Sequence, residues 1–463
     1  MKKSLFVISD LHLGGASGFQ ICSSAGRSRL AEFIGYVASH KQHGTDIHLV
    51  LNGDIVDFLA ENEFSSFTNN DNDARAKLDR IIASTPEVCD SLRRLTAGGV
   101  RLTLMIGNHD TELSLPGPRR LLIETIGGAH VDFIYDNQAL VDGPVLIEHG
   151  NRYDKWNVVS HNALRTIRSA MSRLENPIDY LGPPGSQLVA DVMNPIKKRY
   201  PFVDLLKPEN SGVLPILAVL EPSAMQHVLQ LSALATKSME VSFDRNGIPL
   251  DQQNIAALAG VPLERDKMLE LALKLAGMDD PQNISATGIA KSFWVRLEEA
   301  ASEAARQVQL DLLLKALRAF TETHRQTFDV GTENAEYLNP ANAAAANGFK
   351  VVIYGHTHLV KRIGLATPGA VYLNTGTWAD LMKVPEAILG ENETLARVQL
   401  AEFVEDLKNG RLEAWRCQVP TFARIDFENG ALSAADIYFY EGGDKIQRVP
   451  DGRLTRLDYS GNA

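Results

Sequence analysis

Leu5-Phe6-Val7-Ile8-Ser9-Asp10-Leu11-His12 is the stretch that decides the fold. Four apolar residues, too few for a helix, run straight into an acid and an imidazole, so the segment reads as a short buried strand with a polar end. The pattern recurs. Residues 47–52 lead into Gly53-Asp54-Ile55-Val56-Asp57, and residues 102–106 into Gly107-Asn108-His109-Asp110. Residues 145–147 precede His149-Gly150, and residues 350–354 precede Gly355-His356-Thr357-His358. Side chains at strand ends are held by a rigid sheet yet face an open rim, where ligands bind in α/β folds. Glycines let the chain turn sharply as it leaves each strand. Carboxylate, amide and imidazole groups without thiolate suit manganese, iron, zinc or nickel.

Between the strand runs lie helical stretches at residues 27–41, 71–96 and 119–126, with apolar residues such as Leu30, Phe33, Ile34 and Val37 at helical spacing. The alternation implies an α/β fold with buried strands. From residue 155 the texture becomes helical. Val159, Ala163, Ile167, Met171 and Leu174 form one stripe, and Met268, Leu271, Ala272 and Leu275 another. Residues 293–320 read as one longer helix with Leu297, Ala301, Ala304, Val308 and Leu312 on a face. An Ala-rich stretch at 339–348 reads as the closing loop. Strand texture returns at 350–354, 370–373, 414–419, 423–427 and 437–440. The expected organisation is an α/β domain of residues 1–154 and 348–463, split by a helical insertion of residues 155–347.

Composition sets outer bounds. The chain has 463 residues with 46 Lys+Arg against 57 Asp+Glu, a net charge of −11, and is 44% hydrophobic. This excludes a disordered or fibrous chain. The acidic balance speaks against a general nucleic-acid coat, because phosphate backbones select Lys and Arg clusters. No apolar run reaches the ~18 residues of a membrane span, and the apolar stretch after Lys3 is too short for a signal peptide. Three cysteines without C-x-x-C spacing argue against a disulfide framework or a thiolate zinc site. The expectation is a reduced, cytoplasmic protein with no transmembrane segment.

Singly, D-x-H or G-D-x-x-D is an ordinary turn. A string such as G-N-H-D is expected less than about once in a hundred chains of this length, and five such clusters each closing a strand are rarer still. The series D-x-H, G-D-x-x-D, G-N-H-D, H-G, G-H-x-H resembles that of the calcineurin-like binuclear metallophosphoesterase superfamily, over residues 10–150 and 355–358. The resemblance implies an α/β/β/α sandwich of two sheets flanked by helices, here with a large helical insertion. It implies that Asp10, His12 and His358 hold one metal, Asn108, His149 and His356 a second, and that Asp54 bridges them. His109 resembles the family's catalytic histidine beside the leaving group. Two divalent transition metals are implied, manganese first, with iron, zinc or nickel as alternatives. They would activate a shared water for attack on phosphorus, and His109 would protonate the leaving oxygen.

Departures from relatives narrow the class. Ser/Thr phosphatases of the superfamily carry an arginine after the second aspartate of G-D-x-V-D-R-G; Phe58-Leu59 stands there instead. The bacterial UDP-diacylglucosamine hydrolases share the S-D-L-H-L opening and a lid after H-G, but have arginine in place of His109 and a much shorter insertion. Repair nucleases of the family keep G-N-H-D but present basic DNA-facing surfaces. The reading is therefore a phosphodiester or pyrophosphate hydrolase acting on a phosphorylated small molecule, nucleotide-like or nucleotide–lipid. A phosphomonoesterase or nuclease of the same fold, and a non-catalytic metal-binding scaffold, are the alternatives; nucleic acid is not the favoured partner.

After His149, the residues Arg152, Tyr153, Asp154, Lys155 and Asn157 are candidate substrate contacts, against the alternative that Asp154 caps the next helix while Tyr153 packs. Asp110 reads equally as an imidazole partner or a turn residue, and Asp57 as a site residue or a helix start. Asn374-Thr375-Gly376-Thr377-Trp378 is read as packing, Lys197-Lys198-Arg199 as solvated surface, and His161, His227 and His324 as structural. The insertion would form a lid or specificity wall, or mediate homo-oligomerisation.

Overall fold

The computed structural model describes residues 2–127, 130–206, 214–224, 292–300, 302–323, 328–382, 384, 386–452 and 454. Their contacts form two compact units. The first comprises Met1–Asp191, Phe328–Asp380 and Cys417–Ala463; the second comprises Val192–Thr327 and Leu381–Arg416.

Two sheets build the first unit. Strands β1 (Lys2–Ile8), β2 (Thr45–Asn52), β3 (Arg101–Met105) and β4 (Val131–Ile134) are parallel neighbours. Strands β5 (Leu140–Asp142), β6 (Val145–Ile147), β7 (Val351–Tyr354), β8 (Val360–Gly364) and β9 (Val371–Thr375) make the second sheet, in the order β5-β6-β7-β9-β8. Strands β10 (Leu381–Met382) and β11 (Arg416–Cys417) form a separate pair. Strands β12 (Thr421–Glu428), β13 (Ala431–Gly442) and β14 (Lys445–Arg448) complete the first sheet antiparallel, in the order β14-β13-β12-β1-β2-β3-β4.

Alternation along each strand explains the layers, because successive side chains point to opposite faces. Leu5, Val7, Val50 and Met105 of the first sheet meet Val145, Ile147, Val351, Ile353 and Leu373 of the second in one apolar core. Phe6, Ile8, Leu49, Leu51, Leu102 and Leu104 face the other way. There they bury against helices α1 (Ser24–Ser39), α2 (Asp71–Ser84), α3 (Pro86–Ala97) and α4 (Pro116–Ile126) through Leu30, Phe33, Val37, Ile81, Leu92 and Leu122. On the outer face of the second sheet, Val352, Tyr354 and Tyr372 pack on Tyr337 and Ala341 of helix Ala335–Ala346. Each buried side chain contributes about 1.5–3 kcal/mol. The result is the expected helix–sheet–sheet–helix sandwich.

Several local expectations are corrected. The stretch 71–96 is two helices, because Pro86 lacks the N–H that would continue the first and forces Thr85 out of helical geometry, at φ −132° and ψ 44°. The stretch 293–320 is likewise two, Phe293–Glu298 and Glu303–Thr323; Ser302 caps the second through Ala305 N at 3.2 Å. The buried face of that second helix is Leu310, Leu313, Leu314 and Leu317, whereas Val308 is exposed. The alanines at 341, 343–346 fold as helix rather than loop, as their propensity favours. In helix α5 (His161–Ser172) the buried positions are Leu164, Ile167 and Ala170, and Leu174 beyond its end is exposed. The strand expected at 414–419 shortens to β11.

In the second unit Phe202 meets Phe403 edge-on at 5.4 Å, and Arg318 bonds Gly390 O and Glu393. Lys197 is buried and paired with Asp204, so the basic triplet is not simply solvated surface. The stripe at Met268 to Leu275, His227 and His324 lie outside the described residues. Among described residues no helix is long and apolar enough to cross a membrane. Cys22, Cys89 and Cys417 are free and buried.

Candidate metal centre

The loops that leave β1, β2, β3, β6 and β7 converge within the first unit. Backbone bonds join them: Leu11 N and His12 N donate to Asp54 O at 2.8 and 3.0 Å, Phe58 N to His109 O at 3.3 Å, and Gly355 N to His149 O at 2.9 Å. Five of the expected ligands hold left-handed backbone: Asp10 (φ 54°), His12 (45°), Asp54 (50°), His356 (70°) and His358 (61°). Such conformations cost non-glycine residues of order 1–3 kcal/mol each and persist only where surrounding structure imposes them. Only three other described non-glycine residues share that region, Glu63, Leu174 and Asn429.

Close approach explains the glycines. A Cβ on Gly107 would meet the Asp54 carboxylate, with Cγ at 2.7 Å, and one on Gly355 would lie 2.6 Å from Asp10 Oδ2. Neither position tolerates a larger residue without moving an acid.

The side chains gather in three overlapping groups; two share the Asp54 carboxylate, and the third joins His12, Asp57 and His109. Asp10, His12, Asp54 and His358 offer ligand atoms within 4.8 Å of one another, and so do Asp54, His149 and His356. His358 Nε2 lies 3.3 Å from Asp10 Oδ1, and His149 Nε2 3.2 Å from Asp54 Oδ2. His12 Nε2 and His358 Nε2 stand 2.9 Å apart, within hydrogen-bond distance of each other and close enough to share a cation. Asn108 donates through Nδ2 to Asn157 Oδ1 at 3.3 Å, while its buried Oδ1 has no hydrogen-bond partner among the described residues.

Electrostatics point the same way. Burial alone would raise the Asp10 carboxyl, but the hydrogen bond and charge of His358 bring it down to about 2. Asp54 is likewise buried, and the charges of His149 and His109 hold it well below the usual carboxylate range. Burial would lower the His149 imidazole, yet Asp54 raises it to about 9. Buried anions this closely set need positive charge beside them. Converging imidazoles, an orphaned amide oxygen and ionised carboxylates are the donor set of hard-to-borderline divalent cations. The residues fit such ions.

Around this cluster lie residues that the sequence marked only weakly. Asp57 Oδ1 is 3.2 Å from His109 Nδ1 and also accepts from Leu59 N and Ala60 N, while Oδ2 is 3.5 Å from His12 Nδ1. It is therefore both turn residue and histidine partner. Among the described residues Asp110 hydrogen-bonds no imidazole: Oδ1 accepts from Gly107 N at 2.6 Å and Oδ2 from Ile55 N at 2.7 Å, so it braces two loops. Burial, then the Asp54 charge, pushes its carboxyl up to about 7. Asn374 to Trp378 does more than pack. Thr377 Oγ1 and Trp378 N donate to Asp10 O at 2.7 and 3.1 Å, and Asn374 Nδ2 donates to Gly355 O at 2.8 Å. Side-chain bonds to backbone leave no spacing signature, which is why the sequence did not reveal them.

The segment after His149 divides. Asp154 Oδ2 lies 3.2 Å from His356 Nε2 and accepts from Asn157 Nδ2 at 2.9 Å, so Asp154 and Asn157 link His356 to Asn108. Asp154 does not cap the next helix; Ser160 does. Tyr153 OH donates to Glu148 Oε1 at 2.6 Å, and Arg152 approaches Glu148 Oε2 at 3.7 Å. Lys155 is half-buried.

A two-sheet sandwich with paired acid–histidine clusters at its strand ends defines a metal-dependent phosphoric ester hydrolase with a binuclear divalent-metal site. Residues 3–207 match the family model of the calcineurin-like phosphoesterases. A search of curated proteins finds no match.

Proposed function

We propose that the protein hydrolyses a phosphodiester or pyrophosphate bond in a nucleotide-like or nucleotide–lipid substrate. The observation that carries this reading is the convergence of Asp10, His12, Asp54, His149, His356 and His358 into two ligand groups joined at Asp54. In this reading Asp10, His12 and His358 hold one cation, Asn108, His149 and His356 the other, and Asp54 both; manganese is the first candidate. When bound, the cations supply Lewis-acid charge for phosphoryl oxygens and activate water. His109 is the proton donor. Its Nδ1 faces Asp57 Oδ1, a carboxylate held below its usual range by His109 and His12 against its burial, so Nδ1 carries a proton and Nε2 is the nitrogen that exchanges one. Asp57 steadies the imidazolium; Nε2 then protonates the departing oxygen. Asp154 and Asn157 orient His356 and Asn108, and Arg152, Tyr153 and Lys155 border the substrate. Residues 155–347, between the two parts of the catalytic domain (1–154 and 348–463), serve substrate selection. Three free cysteines suit a cytoplasmic setting.

The test is a panel of mono- and diesters with manganese, run on wild type, Asp54→Ala and His109→Ala. Asp54→Ala should abolish turnover. His109→Ala should cost about 10²–10⁴-fold with an alkoxide leaving group and far less with p-nitrophenolate. Equal losses with both leaving groups would remove His109 from the donor role.

A further inference from the structure

A cluster of arginines lies outside the histidine–acid site. Arg165 Nε contacts Asp136 Oδ2 at 2.7 Å, and an Arg168 amine reaches the same oxygen at 3.5 Å. The guanidinium carbons of Arg119 and Arg168 lie 4.0 and 5.2 Å from the centroid of the Tyr135 ring. Asp136 follows two residues after Ile134 of β4, which pairs with Met105 of β3 three residues before Asn108, so the cluster lies at the same strand-end rim as the candidate metal ligands. Arg152, from the turn after His149, acts with Arg165 and Arg168 on the His161 imidazole. Among the described residues, the acids paired with these four arginines are Asp136 and Glu148. The cluster thus carries more cations than the anions bonded to it, within a chain whose net charge is −11. Burial, then the like charge of Arg119, pulls the Arg168 guanidinium below its ordinary pKa although Asp136 opposes this. Arg168 Nη1 is buried with no hydrogen-bond partner among the described residues, so an anion joining these guanidiniums would meet an unsatisfied donor. Planar forked donors match phosphate oxygens.

We propose that Arg119, Arg152, Arg165 and Arg168 form a subsite for a second phosphate group of the substrate, beyond the one being hydrolysed. The inference rests on the phosphoesterase reading and names its substrate class: molecules with two or more phosphates. With Tyr135 already occupied by guanidiniums, the subsite reads charge rather than a nucleobase.

Two chromogenic diesters separate the claims: thymidine 5′-(p-nitrophenyl phosphate), and the same compound with an added 3′-phosphate. Wild type should show at least tenfold higher kcat/KM on the second. In Arg165→Ala/Arg168→Ala the ratio of the two values should fall toward one. Arg165→Glu, at a half-exposed position, gives the same readout should the double variant fold poorly. A wild-type ratio near one, or a ratio unmoved in both variants, overturns the subsite. Calorimetric titration of the full chain with thymidine 3′,5′-bisphosphate reads the subsite without turnover. Affinity should drop at least tenfold in the variants, and equal or absent binding overturns the proposal. If neither diester is cleaved but bisphosphate binding depends on Arg165, the failure lies with the hydrolase reading.

Discussion

Gly107→Ala tests whether the Asp54 carboxylate is held where it must be. Gly107 has no unusual backbone requirement, so the substitution acts through its methyl group alone. That methyl would come to 2.7 Å from Asp54 Cγ, against an ordinary carbon contact of about 3.5 Å. Asp54 Oδ1 lies nearer still and the Asp54 backbone N is also at 2.7 Å, so the carboxylate and its loop must retreat together by at least about 0.8 Å. Misplacing a reacting constellation by about 1 Å costs roughly 10²-fold in rate, equivalent to about 2.7 kcal/mol. The assay is kcat on a p-nitrophenyl diester with saturating manganese, together with metal content and a thermal melt. Gly35→Ala is the control: Gly35 sits on the exposed face of α1 with nothing within 4 Å of an added Cβ, and alanine there should stabilise the helix by about 0.5–1 kcal/mol without touching activity. A Gly107→Ala enzyme that keeps kcat within threefold and binds two metals would refute the packing argument.

Other perturbations probe the scaffold. Ile353→Ala, in the core between the sheets and three residues before His356, should cost about 2–5 kcal/mol in denaturant unfolding; a cost under 1 kcal/mol would contradict its full burial. Burial depresses His161 to about 4, so the unfolded chain binds its proton more tightly. The stability this contributes is present above about 6.5 and lost as pH falls toward 4, up to about 3 kcal/mol. His161→Gln should flatten that part of the pH–stability curve, and parallel curves would exclude the effect. Chelation should lower the melting temperature, because Asp10, Asp54 and Asp57 then stay buried and ionised with imidazoles alone as counter-charge. Readdition of manganese should restore the melt, with about 2.7 kcal/mol of stabilisation at a hundredfold excess over Kd for each site.

Much of the sandwich could be read from alternation. Leu5 and Val7 face one core and Phe6 and Ile8 the other, and a period of two in so short an apolar run leaves little else to form. The site was legible for a related reason: Asp10, Asp54, Asn108, His149 and His356 each follow a strand that stops abruptly at polar residues. Helix boundaries were harder, since Leu78, Ile81 and Leu92 keep one apolar face across the Thr85–Pro86 break. Residues 381–413 drew no reading of their own beyond inclusion in the α/β domain. Their helix Glu393–Lys408 is amphipathic, but nothing in its composition assigns its partners to the second unit. The supporting bonds of Asp57, Asp110 and Thr377 run to backbone or across distant loops, and only three dimensions join them.

One consequence concerns biosynthesis. Strand β1 lies between β2 and β12, and β6 between β5 and β7, so neighbours in each sheet are separated by some four hundred and two hundred residues of translation. A nascent chain that has emerged only as far as Gly150 owns half a cradle and two naked sheet margins. With the ligand set proposed above, capture of both cations would double as a seal on late assembly: it would become available only when His356 and His358 arrive, which would tie metal loading to completion of the sandwich rather than to its nucleation.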